Sequence, residues 1–149
     1  MANVADRLTG EVRTFVEAAR RATLATIADD GRPRLVPVCF VLAGDLAYIP
    51  IDEKPKDSAD PFDLARVHDI LQRPRIALLV DRWDEDWSQL VWVRIEGTAG
   101  IIDPTATDHA AAVVALRSKY PQYATHDLDE RPLIRIAVAR MVWWGELGA

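Results

Sequence analysis

Apolar residues recur along the chain with two spacings, and the change between them separates predicted helices from predicted strands. Over residues 4–20 they recur every three or four positions, as Leu8, Val12 and Phe15 do, which predicts an amphipathic helix. From Ala22 to Lys56 the apolar runs are short, partly β-branched and separated by turn residues. This stretch is predicted to form a meander of three antiparallel strands. The predicted strands are Thr23–Ala28, Arg34–Leu42 and Leu46–Ile51.

The remainder of the chain predicts two more helices and three more strands. Within the long strand, Gly97 and Gly100 indicate a bulge or a sharp bend. The order of helices and mainly antiparallel strands predicts an α+β fold, and 149 residues predict one domain over residues 1–149. The predicted elements are a helix over Phe62–Leu71, a strand over Ile76–Val80, a strand over Leu90–Ile102, a helix over residues 104–120 and a strand over Leu133–Trp144.

Composition narrows the classes of partner. The net charge is −5, which disfavours a nucleic-acid-binding protein, because such proteins need a clustered basic face. No apolar run approaches the ~20 residues of a membrane helix, and the first residues lack a signal-peptide core. We therefore expect a cytoplasmic protein that binds neither nucleic acid nor a membrane.

The sequence carries no recognisable catalytic or metal-binding motif. It has no glycine-rich nucleotide loop and no nucleophile elbow, and His68, His109 and His126 are dispersed. Cys39 lies in an apolar run, which indicates a buried thiol. We expect no metal site, and an enzyme of this sequence would take its reactivity from an organic cofactor.

Two lysines form the strongest candidate binding feature. Lys54 and Lys56 are two positions apart, so in an extended segment both side chains point to the same side and can converge on one anion, such as a phosphate. A solvated basic loop is the alternative interpretation. Arg66, with Arg73 or Arg75, is a candidate for further cationic contacts.

The tryptophans form a second candidate feature. Trp83, Trp87 and Trp92 lie within ten residues, and Trp143 and Trp144 end the last predicted strand. Neighbouring residues of a strand face opposite sides, so only one of the last two can enter a given core. The other is expected to meet a ligand, a helix or a second subunit.

Several segments together resemble the pyridoxamine 5′-phosphate oxidase-like flavoproteins, and within them the actinobacterial branch of deazaflavin-dependent oxidoreductases that use coenzyme F420. The resemblance covers nearly the whole chain. It implies a six-stranded antiparallel split β-barrel (the FMN-binding split barrel) with flanking helices, and a homodimer with two cofactor sites at its interface. The segments that carry it are Ala22–Thr26, Gly31–Pro33, Val36–Val38, Asp52–Lys56, Leu78–Trp87, Val93–Arg94 and Gly97–Ala99.

The resemblance also assigns roles to individual residues. Asp69 stands where many relatives have an asparagine, and an acid there does not favour a phosphate. The implied activity is hydride transfer between F420 and a small unsaturated substrate. The alternatives are an FMN-dependent reductase or oxidase, and a non-catalytic protein that binds a flavin, a deazaflavin or a tetrapyrrole. The implied cofactor-binding residues are Val36, Pro37 and Val38 at the ring, Lys54, Lys56 and Arg66 at the phosphate, and Trp87 or Trp92 from the neighbouring subunit.

Overall fold

The structure is a computed structural model that describes residues 2–51, 60 and 64–148. Lys54 and Lys56 therefore lie outside the described residues. Short 3-10 turns occupy Trp87–Gln89 and Pro121–Thr125. The helices and strands are β1 (Asn3–Ala5), α1 (Gly10–Ala18), β2 (Ala22–Ile27), β3 (Pro33–Val38), β4 (Val41–Ala43), β5 (Leu46–Pro50), α2 (Ala65–Gln72), β6 (Arg75–Arg82), β7 (Val91–Ile102), α3 (His109–Lys119) and β8 (Leu133–Gly145).

One antiparallel sheet contains all of these strands, and it curls on itself. Its order is β3-β2-β6-β7-β8-β5-β4, with β1 paired to the far part of β8. Strands β3 and β4 lie at opposite ends of this order, yet only Cys39 and Phe40 separate them. Two residues between strand ends reach about 11 Å at most, whereas seven flat strands extend over about 29 Å. The sheet must therefore curl until its two ends meet.

The predicted meander from Ala22 to Lys56 is wrong in its pairing. Strand β2 pairs with β3, and β4 pairs with β5, but β3 pairs with neither β4 nor β5. The predicted strand over Arg34–Leu42 is interrupted at Cys39 and Phe40, where the chain passes from one end of the sheet to the other. This break and the short β1 raise the strand number from the six expected to eight.

The concave side of the sheet holds the main core. Alternate strand residues such as Leu24, Leu78 and Ile95 are fully buried there, and α1 adds Val12 and Val16. A second cluster joins α3 to the start of β8. We call the concave side the inner face and the convex side the outer face. The second cluster contains Tyr48, Ile102, Ala112, Val113, Leu116, Tyr120, Tyr123, Leu128 and Leu133.

Strands β7 and β8 form the longest pairing, and both were predicted from the sequence. The register shifts between Glu96 and Gly97, which confirms the bulge expected at one of the two glycines. A Cβ atom on Gly97 would lie 2.3 Å from the carbonyl oxygen of Ala137, whereas Gly100 has open space. Only glycine therefore fits at the bulge.

Three expectations for the helices need correction. Residues 3–5 form β1 instead of helix, because they pair with β8 in a contact that is remote in sequence. The helix expected over residues 104–120 begins at His109, since Asp103 forms a local turn by accepting a hydrogen bond from the Thr105 backbone N–H at 2.8 Å. The apolar spacing of the helix predicted over Phe62–Leu71 indicates that Leu71 faces inward together with Val67 and Ile70, but Leu71 is 52% exposed.

Candidate functional site

Strand β3 forms a free edge of the sheet and carries the three residues expected beside a cofactor ring. Val36 and Val38 lie opposite Leu24 and Ala22 and face inward, whereas Pro37 is exposed on the outer face. Pro37 thus lies on an edge strand, which is one of the positions that a proline can occupy in a sheet. On its free side β3 presents backbone N–H and C=O groups that no strand of residues 2–51 and 64–148 pairs.

A buried tyrosine fixes the connection that follows β3. The hydroxyl of Tyr120 accepts a hydrogen bond from the Phe40 backbone N–H at 3.1 Å. The same hydroxyl lies 3.0 Å from the carbonyl oxygen of Arg20 and 3.2 Å from that of Phe40, so it can donate to either. Because burial removes water as a competitor, the hydroxyl holds the end of β3 in place.

A buried carboxylate attaches helix α2 to the β2–β3 hairpin. Asp69 is 3% exposed and accepts hydrogen bonds from Thr26 Oγ1 at 2.7 Å and from Arg34 Nε at 2.8 Å. Burial raises the pKa of Asp69, but these two hydrogen bonds and the charges of Arg34 and Arg73 outweigh it and lower the pKa below its usual value. The acid therefore has a structural partner, Arg34, on the inner side of the free edge.

The arginines expected to add cationic contacts differ in their surroundings. Arg66 is 8% exposed and lies in the first turn of α2. Arg73 donates to Asp29 at 2.6 Å and to the carbonyl oxygen of Ile27 at 2.8 Å, so it fastens the hairpin. Arg75 is exposed on the outer face. Of these three, Arg66 alone is both buried and close in sequence to the lysine pair.

The outer face holds an open groove of about 760 Å³ across β2, β6, β7 and β8. Its floor includes Ala25 and Ala77, and Arg75 and Arg140 line it together with Glu96. Arg94 donates to Glu96 at 2.9 Å, and with Arg140 it lowers the pKa of that carboxyl. The groove therefore combines an apolar floor with two positive charges and one fixed negative charge.

A second open groove, of about 750 Å³, continues along the outer face and contains the tryptophans. Trp83, Trp92 and Trp144 line it, and Trp83 and Trp144 are 66% and 40% exposed. Trp143 packs against the main core, so the two adjacent tryptophans do face opposite sides. Trp87 is 68% exposed in the turn before β7 and does not line this groove. These grooves leave much apolar surface uncovered.

Within one copy the structure does not bring Val36 and Val38 together with Trp92. Val36 and Val38 face inward at the edge of the sheet, whereas Trp92 faces outward on β7, three strands away or about 14 Å. Sequence reasoning missed Arg34, although its alternation with Val36 and Val38 places it on the same inner face. The Arg34–Asp69 pair had no sequence signal, because its members are 35 positions apart.

Residues 2–51, 60 and 64–148 contain neither a helix that could span a membrane nor a cluster of metal-binding side chains. No helix there is long and apolar enough to cross a membrane. No group of three histidine, cysteine or acidic side chains there is arranged to bind a metal ion.

Comparison with solved structures identifies the same architecture in other proteins. A conserved protein of Mycobacterium tuberculosis is 22% identical, with a TM-score of 0.71, and the match covers 93% of this chain and 87% of that one. An F420 reductase is 19% identical, with a TM-score of 0.64, over 87% of this chain and 94% of its own. An FAD-binding protein of Mesorhizobium loti is 18% identical, with a TM-score of 0.66, over 96% of both chains.

A haem-binding protein of Mycobacterium smegmatis also has this fold, with 20% identity, a TM-score of 0.72 and coverage of 93% of this chain and 54% of its own. No curated protein matches the sequence. The Pyridoxamine 5′-phosphate oxidase family profile matches residues 8–145. These matches confirm the split β-barrel, and the length of the profile match shows that the chain belongs to the pyridoxamine 5′-phosphate oxidase family.

Proposed function

We propose that this protein is an oxidoreductase that binds coenzyme F420 between two copies of the chain and transfers hydride to or from a small unsaturated substrate. The observation that carries the proposal is the free edge of β3, where Val36, Pro37 and Val38 adjoin unpaired backbone groups. Family membership and the F420 reductase of the same fold support it.

The chemistry of this edge fits a deazaflavin ring. The pyrimidine side of such a ring alternates hydrogen-bond donors and acceptors, and an unpaired strand offers a matching row of backbone groups, as in strand addition. Val36 and Val38 add apolar surface beside that row. Bound F420 would supply the hydride, while the protein orients the ring and excludes water.

The phosphate is assigned to the cationic residues that follow β5 in sequence. Lys54 and Lys56 come three and five positions after Ile51, and Arg66 is buried in the first turn of α2. Asp69 does not oppose this role, because its charge is already compensated by Arg34 at 2.8 Å. Charge-assisted hydrogen bonds from two lysines would contribute about 1.5–3 kcal/mol each.

The second copy is required to complete the pocket. Trp92 lies on the outer face, away from the inner side of β3, so it can approach the ring only from another molecule. Two open grooves on that face and the exposed Leu35, Leu79 and Trp144 are suited to burial against a partner. Sedimentation equilibrium is expected to give a dimer of the 16.6 kDa chain. A stable monomer would contradict the shared pocket.

Titration with F420, FMN and haemin, followed by fluorescence quenching, tests the cofactor. We expect F420 to bind more tightly than FMN. Failure of F420 and FMN to bind below about 100 μM would refute the proposal, since a convergent lysine pair contributes about 3–6 kcal/mol and a dissociation constant of 100 μM corresponds to only about 5.5 kcal/mol.

Replacing Lys54 and Lys56 together with alanine tests the phosphate assignment. The double variant is expected to weaken F420 binding by about 3–6 kcal/mol, since two charge-assisted hydrogen bonds are lost. Arg7→Ala serves as the charge control, because Arg7 is exposed and its nearest carboxylate partner, Asp45, is 3.7 Å away. An unchanged dissociation constant in the double variant would remove both lysines from the site.

Two other functions have specific support. The FAD-binding protein of the same fold favours a flavin-dependent enzyme, for which the purified protein would be yellow. The haem-binding protein favours a non-catalytic tetrapyrrole carrier. Tight haemin binding without F420 or FMN binding would select the carrier, and turnover with bound FMN would select the flavoenzyme.

A further inference from the structure

Two cations share an aromatic pair at the connection that follows β3. Lys119 ends helix α3, and its Nζ lies 4.0 Å from the ring centre of Phe40 and 5.4 Å from that of Tyr120. The guanidinium of Arg20 lies 4.8 Å from the Tyr120 ring centre and donates to the carbonyl oxygen of Lys119 at 2.7 Å. The amine and the guanidinium are therefore held close together.

The surroundings of Lys119 raise the fraction of neutral amine above that of a solvated lysine. Burial, followed by the charge of Arg20, lowers the pKa of Lys119 to about 8, although the charge of Glu17 acts against this. The aromatic rings attract the ammonium form but do not replace a counter-ion. In the described part of the chain, no carboxylate lies within 4.0 Å of Nζ. A desolvated lysine beside another cation is an activated nucleophile.

The guanidinium beside this amine is exposed. Arg20 uses one N–H in its bond to the Lys119 carbonyl, which leaves it further N–H donors. A guanidinium binds phosphate oxygens in a forked geometry. The electrophile that suits this amine is therefore a phosphorylated one.

We propose that Lys119 is a covalent modification site, at which its amine takes the acyl group of a small acyl phosphate held by Arg20. The neutral Nζ attacks the acyl carbon and forms a C–N bond. The bond between that carbon and the phosphate oxygen breaks, and inorganic phosphate leaves with the electron pair. One amine proton passes to water, and no oxidation or reduction takes place. The product is a neutral amide, which removes one positive charge from the end of β3.

The composition of the chain makes the test direct, because Lys54 and Lys56 are the only other lysines. The intact protein is incubated with acetyl phosphate, and acetylation is mapped by peptide mass spectrometry with an N-acetyl-lysine amide as reference amine. At pH 7.5 a pKa of about 8 in place of 10.5 gives roughly 200-fold more neutral amine. Because a less basic amine is a weaker nucleophile, we expect Lys119 to react about tenfold faster than the reference.

The pH dependence and one variant separate the proposal from ordinary surface reactivity. The rate at Lys119 should level off above about pH 8, whereas the reference rate keeps rising to about pH 10. Arg20→Gln should lower the rate at Lys119, because it removes the phosphate contact and one of the two causes of the lowered pKa. Arg7→Gln should leave the rate unchanged, and both folds are checked by circular dichroism. A wild-type Lys119 that reacts no faster than the reference, or a folded Arg20→Gln protein with the wild-type rate, would overturn the proposal. Neither readout needs the cofactor.

Discussion

Replacing Gly97 with alanine tests the bulge on which the β7–β8 pairing depends. The added Cβ would lie 2.3 Å from the carbonyl oxygen of Ala137, 3.1 Å from its carbonyl carbon and 3.2 Å from Ile136 Cγ2. The first two neighbours are backbone atoms, which cannot rotate away as a side chain can. Strands β7 and β8 would have to separate by about 1 Å at this point, enough to break a ladder hydrogen bond.

The expected cost follows from these contacts. One or two lost hydrogen bonds cost about 1 kcal/mol each, and strain in a packed sheet adds about 1–3 kcal/mol. Alanine also reduces the conformational entropy of the unfolded chain relative to glycine, but this favours folding by only ~0.5–1 kcal/mol. We expect Gly97→Ala to lower the free energy of unfolding by about 2–3 kcal/mol. For a chain of this size that corresponds to a fall in Tm of roughly 4–12 °C.

Gly100→Ala is the matched control, because Gly100 lies on the same strand and has nothing within 4 Å of its would-be Cβ. It should leave stability unchanged or raise it by about 0.5 kcal/mol. Both variants are measured by urea unfolding with a common m value. Equal stability of the two alanine variants would refute the placement of the bulge.

Three further substitutions test contacts around the candidate site. Asp69→Asn should lower the free energy of unfolding by about 1–3 kcal/mol at neutral pH, because Arg34 and Thr26 lose a charged acceptor. Since folding lowers the pKa of Asp69, its contribution to stability is present above about pH 4 and is lost as the pH falls through the lowered pKa. The difference in unfolding free energy between the variant and wild type should therefore shrink in acid. A difference that stays constant with pH would contradict the ion pair. Tyr120→Phe should cost about 1–3 kcal/mol in urea unfolding, since the buried Phe40 N–H loses its acceptor, and wild-type stability would show that this contact is absent. Tyr48 donates to Asp108 at 2.5 Å, and burial followed by this hydrogen bond raises its pKa to about 12. Because the folded-state pKa of Tyr48 is raised, stability should fall between about pH 10 and 12, and Tyr48→Phe should make that fall smaller. An identical alkaline profile would refute the assignment.

The sequence predicted the elements that depend on local pattern. The bounds of β7 and β8 were predicted to within a residue or two, those of β8 from its alternating pattern, and the spacing of Val12 and Val16 gave the inward side of α1. The adjacent Trp143 and Trp144 were correctly expected to face opposite sides, because a strand alternates with a period of two. These features need only neighbours along the chain.

The candidate site was predicted only in part, because some of its contacts join residues that are far apart in the sequence. Val36, Pro37 and Val38 were placed on a strand, which the pairing confirms, whereas the position of that strand at the end of the sheet emerged only from the structure. Arg34 was missed as a partner of Asp69, and the acid had seemed only to disfavour a phosphate. This ion pair joins a strand to a helix 35 residues later, so no repeating spacing in the sequence predicts it.

The sequence by itself determined the α+β class, a bulge or bend at a glycine of the long strand and the alternation of the last strand, because these follow from steric limits and apolar spacing within a few residues. Only the tertiary structure decided that β3 and β4 part at Cys39, that residues 3–5 add a strand to β8, and that Val36 and Trp92 lie on opposite faces of the sheet. The choice of strand partner depends on burying the whole inner face at once. That choice is a property of the closed sheet, so no single segment encodes it.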